Sequence, residues 1–313
     1  MRIIFSFLAL AFLFTSCDDG DVITAELSFG DTFETCGDLV CYKIKTDPSE
    51  TLSIKLNTTL ADLIETETDP TNPYLKVLVN NNPSFAISST NVFNYRTYAN
   101  TVTDNVFCSD IPPSNLAITN DYTSDEGAAT FIIELIEDDN DGIPAEFEDL
   151  DGDGDYYNDD TDGDGIPNFL DADDDGDNVL TKTEIESQTI TTLDELNLVL
   201  NTDANFVNGD NLPNYLDPDD DADGVLTINE EGFLTPDLDP TDDITDPSVG
   251  PDYLNPDVSS NDAGTLSYRS HTIKQSFVLE LTISNITLSI LSQDFIEFGT
   301  KTTTSSRTVT PSF

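Results

Sequence analysis

The sequence predicts a mainly β chain: an antiparallel β-sandwich domain, or two, flanking an irregular, loop-rich segment with at most short helices. Three observations lead there. Residues 22–137 and 264–313 are rich in β-branched and aromatic side chains, and stretches such as Leu52-Ser53-Ile54-Lys55-Leu56 alternate with a period of two, the mark of a strand with one buried face. Turn residues separate these stretches, with prolines at Pro48, Pro70, Pro73, Pro83 and Pro112-Pro113, which suits short antiparallel strands. Between the two β-rich regions lies a stretch with neither period, and it carries most of the charge: 40 of the 62 acidic residues fall between Glu137 and Asp262, with Lys182 as the single base.

Taken in order, the chain opens with Met1-Arg2 and an almost wholly apolar run from Ile3 to Phe14. The run is too short to cross a bilayer as a mature helix and reads as a cleaved signal peptide over residues 1–16. It ends in Leu13-Phe14-Thr15-Ser16-Cys17, which resembles the lipobox of bacterial lipoproteins, although the favoured Leu sits one place early and Phe14 fills its usual slot. The acidic Asp18-Asp19 that follows resembles the export tag of surface lipoproteins in some Gram-negative lineages. Together these resemblances imply a lipidated Cys17 and an extracytoplasmic place at the outer membrane or cell surface, anchored by several acyl chains.

Residues 17–136 read as an N-terminal β-sandwich domain, with strands near Val22–Phe29, Leu39–Lys45, Thr51–Asn57, Tyr74–Asn80, Val92–Tyr98 and Ala129–Ile136. Three further cysteines in an oxidising compartment imply one disulfide and one spare thiol. Cys36 with Cys108 would staple distant parts of the domain and is preferred; Cys36 with Cys41, closing a small loop, is the alternative. Residues 263–313 read as a C-terminal β segment, with strands near Ser276–Ser284, Thr287–Leu291 and Phe295–Phe298, either docked on the first sandwich or forming a small sheet of its own.

The acidic stretch, residues 137–262, contains a repeat. Asp164–Glu184 (DGIPNFLDADDDGDNVLTKTE) and Asp210–Glu230 (DNLPNYLDPDDDADGVLTINE) are identical at 13 of 21 positions with an offset of 46, and Pro251–Asp257 is a worn copy of Pro213–Asp219. Self-similarity of this kind marks an array of small units. Each unit places acids at alternate positions ahead of a turn residue. Asp219, Asp221 and Asp223 are followed by Gly224, Val225, Thr227 and Glu230. Asp173, Asp175 and Asp177 are followed by Asn178, Val179, Thr181 and Glu184. These are positions 1, 3, 5, 6, 7, 9 and 12 of a loop that wraps Ca2+ in oxygen ligands, with a backbone carbonyl at 7, and Asn tolerates the positive φ required at 6.

Three more such loops stand head to tail upstream: Glu137, Asp139, Asp141, Gly142, Ile143 and Glu148; Asp149, Asp151, Asp153, Gly154, Asp155 and Asp160; then Asp160, Asp162, Asp164, Gly165, Ile166 and Asp171. The last two share Asp160. The pattern resembles EF-hand calcium loops, and the head-to-tail chain resembles the thrombospondin type 3 repeat, without the cysteines that usually pair those repeats. Prolines at position 8 (Pro144 and Pro167) stand where an EF-hand has a helix. Thr192-Leu193-Asp194-Glu195 reads as a capping box opening a short helix before Asn201.

Other chemistry is poorly provided for. A net charge of -51 argues against nucleic acid. His271 is the single histidine and reads as a solvated or half-buried strand residue, so Ser-His and Cys-His triads have little to work with. No Gly-rich phosphate loop follows a strand, and tryptophan, a common sugar platform, is absent. The expectation is a non-catalytic, calcium-binding surface lipoprotein with a structural or adhesion role, its acidic segment stiffened by several Ca2+ ions into a stalk between two β-regions. The alternatives are a module whose β-domain captures a glycan or protein partner, with structural calcium, and an accessory lipoprotein of an enzyme complex.

Overall fold

The computed structural model describes residues 27–111, 113–204, 209, 211–231, 237–259, 267–288, 290 and 295–311. The signal peptide, Cys17 and the first part of the strand expected over Val22–Phe29 lie outside the described residues; residues 27–29 are not in a strand.

Alternation of inward and outward side chains produces a mainly β architecture. The strands are β1 (Glu34–Cys36), β2 (Val40–Thr46), β3 (Ser49–Lys55), β4 (Thr66–Thr68), β5 (Lys76–Leu78), β6 (Ser84–Ala86), β7 (Phe93–Tyr98), β8 (Ile118–Ser124), β9 (Ala128–Asp138), β10 (His271–Ser284) and β11 (Phe295–Val309). They form a five-stranded sheet, β1-β2-β3-β7-β8, a four-stranded sheet, β11-β10-β9-β6, and the small β4-β5 pair. Every named pairing is antiparallel.

The two large sheets share one core. Leu52, Ile54 and Phe93 of the first meet Phe131, Phe277, Leu281 and Phe298 of the second, and all are buried. In β10 the odd-numbered residues from His271 to Ile283 are all buried, so one face of the strand supplies the core continuously. Each such apolar side chain contributes about 1.5–3 kcal/mol on burial. A Cys36–Cys108 disulfide ties β1 to residue 108, and Cys41 remains a free, buried thiol.

The C-terminal strands complete the first sandwich rather than forming a separate sheet. β10 pairs β9 from Lys274↔Asp138 to Ser284↔Ala128, and β11 then pairs β10. The expected strand over Thr287–Leu291 is absent among its described residues. This pairing corrects the expectation of a stalk between two β-regions. The acidic segment leaves the sheet at Asp138 and returns at His271, near adjacent positions on neighbouring strands, so it is an insertion in one sandwich and cannot space two bodies apart.

The insertion is loop-rich and its helices are short. α3 (Thr181–Glu184) and α4 (Leu193–Leu196) are single turns, like α1 (Leu60–Leu63) and α2 (Asn105–Cys108) earlier in the chain. The capping box expected at Thr192 forms in part: Thr192 Oγ1 accepts the Glu195 N–H, while the Glu195 carboxylate accepts from Thr191. Apolar side chains seat the insertion on the end of the sandwich, where Ile166, Phe169 and Leu170 pack with Ile273 and Val309. A second small core joins Ile143, Ile185, Ile190, Leu196 and Tyr215 within the insertion.

Candidate metal centre

The five acidic loops share one local geometry, and the sequence dictates it. Position 6 has positive φ in each: Gly142 at 121°, Gly154 at 88°, Gly165 at 97°, Asn178 at 74° and Gly224 at 93°. The carboxylate at position 3 accepts the N–H of position 5, as Asp139 does from Asp141 at 2.9 Å and Asp175 from Asp177 at 3.3 Å. The carboxylate at position 5 accepts the N–H of position 7; the donors are Ile143, Asp155, Ile166, Val179 and Val225 at 2.6–2.8 Å. At position 1, Asp149, Asp160, Asp173 and Asp219 each accept the N–H of position 6. Such turns gather successive carboxylates around one point, because residues at alternate positions face the same way.

The gathered oxygens lie within 4.8 Å of one another in Asp139/Asp141/Glu148, Asp149/Asp151/Asp153, Asp160/Asp162/Asp164, Asp173/Asp175/Asp177 and Asp177/Glu184/Asp220. In Asp139, Asp141, Asp164, Asp173, Asp175 and Asp177 one oxygen is occupied by the backbone and the other has no partner. Buried and unpartnered are Asp139 Oδ2, Asp141 Oδ2, Asp164 Oδ2, Asp175 Oδ2, Asp177 Oδ2, Asp221 Oδ2 and Asp223 Oδ2, both oxygens of Glu184, and one each of Glu148 and Glu230. The loop from Asp149 to Asp160 differs in being largely exposed.

Electrostatics follow from this crowding. Burial, and then the charge of neighbouring carboxylates, pushes the Glu230 carboxyl up to about 9 and the Asp221 carboxyl up to about 7. Burial likewise raises Asp162 to about 7 and Asp164 to about 6. Asp139, Glu148, Asp175, Asp177 and Glu184 are driven well above the usual carboxylate range for the same reasons. A cluster of buried, hard, anionic oxygens, many of them without a hydrogen-bond donor, is the donor set a hard divalent cation requires; these groups hold no thiolate or imidazole.

Some expected ligands are placed elsewhere. Glu137 lies in β9 and its Oε1 is held by Arg307 Nε at 2.8 Å and Gln275 Nε2 at 3.0 Å, so the first loop begins in effect at Asp139. Strand β9 runs on to Asp138, which fixes Glu137 in the sheet. Thr181 and Thr227 at position 9 are fully buried, and their hydroxyls accept the N–H of Asp174 (3.1 Å) and Asp220 (3.4 Å). The shared acid Asp160 accepts from Gly163 and Gly165. Asp171 accepts from Asp173 and lies 3.2 Å from His271 Nε2.

His271 itself is buried, not solvated, because the insertion covers the inward-facing start of β10; burial lowers its pKa to about 4. Two acids that the loop template passes over, Asp174 and Asp220, are each 1 % exposed. Their signal was available in the repeat, since they are the same residue 46 places apart.

Residues 138–208 match the family described as BamM C-terminal, a span that includes the first four acidic loops, α3 and α4. No curated protein and no solved structure matches the chain. Among the described residues no helix is long and apolar enough to cross a membrane.

Proposed function

We propose that this chain is a non-catalytic, calcium-binding lipoprotein of the outer-membrane surface, in which several Ca2+ ions order the acidic insertion against the β-sandwich. The observation that carries the reading is the set of buried carboxylate oxygens with no partner, Glu184 and the alternating Asp oxygens above all. An uncompensated buried carboxylate costs several kcal/mol even after relaxation. Protons or cations must therefore neutralise these groups, and at neutral pH a divalent cation does so for several carboxylates at once. Binding and ordering are then one event. The likeness to EF-hand and thrombospondin type 3 loops supports calcium as the ion, and sites in extracellular modules bind it at about 10⁻⁴–10⁻³ M.

Lipidation at Cys17 rests on the lipobox-like sequence, and the likeness to a family of β-barrel assembly lipoproteins supports the same address. That likeness also favours a more specific role over adhesion: an accessory protein of an outer-membrane assembly complex, with the calcium-ordered insertion as the part that meets a protein partner. Calorimetric titration of the full chain with Ca2+ tests the first reading; several ions bound with a gain in folded structure is the expected result, and no heat and no structural change would dispose of it. Replacing Cys17→Ser should move the protein from the membrane to the soluble fraction. Co-purification of assembly-complex subunits with the tagged wild-type chain, lost on chelation, is expected for the accessory role.

A further inference from the structure

We infer that Asp220 and Asp174 are inter-repeat cation ligands: each stands at the second place of its own loop but belongs to the cation site of an earlier loop, so that the ions fasten successive units to one another. The inference rests on the calcium reading above and adds to it which residues join the units.

Ligands at positions 1, 3 and 5 face the ion of their own loop, so the residue at position 2 faces away from it. In an isolated loop that side chain would reach water. Here it does not. Asp220 is 1 % exposed, and one of its carboxylate oxygens lies within 4.8 Å of ligand oxygens of both Asp177 and Glu184, which are positions 5 and 12 of the loop 46 residues upstream. Its Oδ1 has no hydrogen-bond partner. Asp174, the same residue of the preceding copy, is also 1 % exposed and both of its oxygens lack partners. The charges that bear on it most are Glu148, Asp141 and Asp139, the acids of the first loop.

Both acids are aimed by the same device. The fully buried Thr at position 9, Thr181 or Thr227, accepts the backbone N–H of the position-2 Asp and pins that residue across its own loop; the Thr227 hydroxyl also donates to Asp220 Oδ2 at 3.4 Å, which leaves Oδ1 as the oxygen open to an ion. A buried Tyr from a later copy of the repeat stands near each group of acids: Tyr215 in Pro213–Leu216 and Tyr253 in Pro251–Leu254. Tyr215 feels Asp174, Glu148 and Asp141, and Tyr253 feels Asp220, Glu184 and Asp177. The head-to-tail loops that start at Asp149 and Asp160 carry Leu150 and Thr161 at position 2 and have no such acid. In the worn copy the equivalent of Asp220 is Val258, so the series of junctions ends there.

Equilibrium dialysis of the full chain with radioactive calcium decides the matter. Asp220→Asn keeps the shape and removes one charge, and should weaken one ion by at least about tenfold while leaving the others unaltered. Combined with Glu184→Gln, it should cost no further ion; combined with Glu230→Gln, the closing acid of its own loop, it should cost a second. The opposite pattern, or unaltered stoichiometry and affinity in Asp220→Asn, overturns the inference. Asp174→Asn provides an independent arm, pairing with Glu148→Gln and not with Glu184→Gln. Because these changes relieve repulsion among carboxylates, the variants should fold at least as well as the parent without metal, which circular dichroism in EDTA monitors. A wild-type chain that retains no calcium would instead overturn the calcium reading beneath the inference, a result distinct from either pairing pattern.

Discussion

Asn178 carries more of the structure than its place in an acidic loop implies. At φ 74° it occupies the left-handed region, which Asn tolerates and β-branched residues do not. Its side chain donates to the Ser267 carbonyl at 3.1 Å and accepts from the Arg269 N–H at 2.9 Å, and its carbonyl accepts from the Arg269 guanidinium at 2.8 Å. The loop is thereby tied to the residues that lead into β10. Asn178→Gly keeps the backbone conformation and loses the side-chain ties; Asn178→Val loses both and adds backbone strain of about 1–3 kcal/mol. Thermal unfolding in calcium should rank wild type above Gly above Val, and a Val variant as stable as wild type would show the loop free to change its turn. Cys41 makes a second residue-level test. Burial pushes its thiol up to about 12, so it should resist alkylation at pH 8 until the sandwich unfolds and then take up one equivalent of iodoacetamide. Labelling of the folded protein would contradict the packing of β2. Position 6 was legible in sequence because only glycine and a few polar residues serve there. The roles of Thr181 and Thr227 were not, because a hydroxyl that fits a metal shell fits a backbone N–H equally well.

At the scale of the element, the loops and the strands differ in how much a local pattern determines. Strand β10 follows from its strict alternation, whereas β8, whose side chains are mostly exposed, offers no apolar period and escaped the sequence. The helices were constrained by chemistry that could be read in advance. Pro144 and Pro167 precede single 3-10 turns at Ala145–Phe147 and Asn168–Leu170, where an EF-hand would continue as a full helix. The acidic loops as elements have a pH dependence of definite sign. Their carboxyls bind protons more tightly folded than unfolded, with values of about 6 for Asp164, about 7 for Asp162 and Asp221 and about 9 for Glu230. Without metal, the stability this contributes is fully present below the unfolded value of about 4 and is lost as pH rises through about 6 to 9. Calcium needs the deprotonated groups, so its affinity runs the other way. Unfolding followed in EDTA should show the insertion more stable at pH 5 than at pH 8, while the gain on adding calcium should be larger at pH 8. Equal gains at the two pH values would mean that these carboxylates are not the ligands.

For the whole molecule, the decisive feature is one that no local pattern carries: β9 and β10 are neighbours although the entire acidic insertion separates them in sequence. Their alternation made each a strand, but pairing across so long a loop is settled by the shared core of Phe131, Phe277 and Phe298. The insertion therefore leaves and returns at one end of a finished sandwich, and its order depends on two different supports. Near the sheet, Ile166, Phe169 and Leu170 pack on Ile273 and Val309, and Arg307 holds Glu137. Farther along, among the described residues from Asp173 to Glu230, buried acids outnumber buried apolar side chains, and repulsion between two carboxylates about 4 Å apart is roughly 4 kcal/mol at an effective dielectric near 20. Removing calcium should thus release the far part of the insertion and leave the sheets standing. Hydrogen exchange with and without EDTA reads this directly: amides of Asp173–Glu230 should lose protection on chelation, while those of β3, β9 and β10 keep it. If the strands lose protection together with the loops, the ions hold up the sandwich itself, and the insertion would be part of its folding unit rather than a calcium-ordered face built upon it.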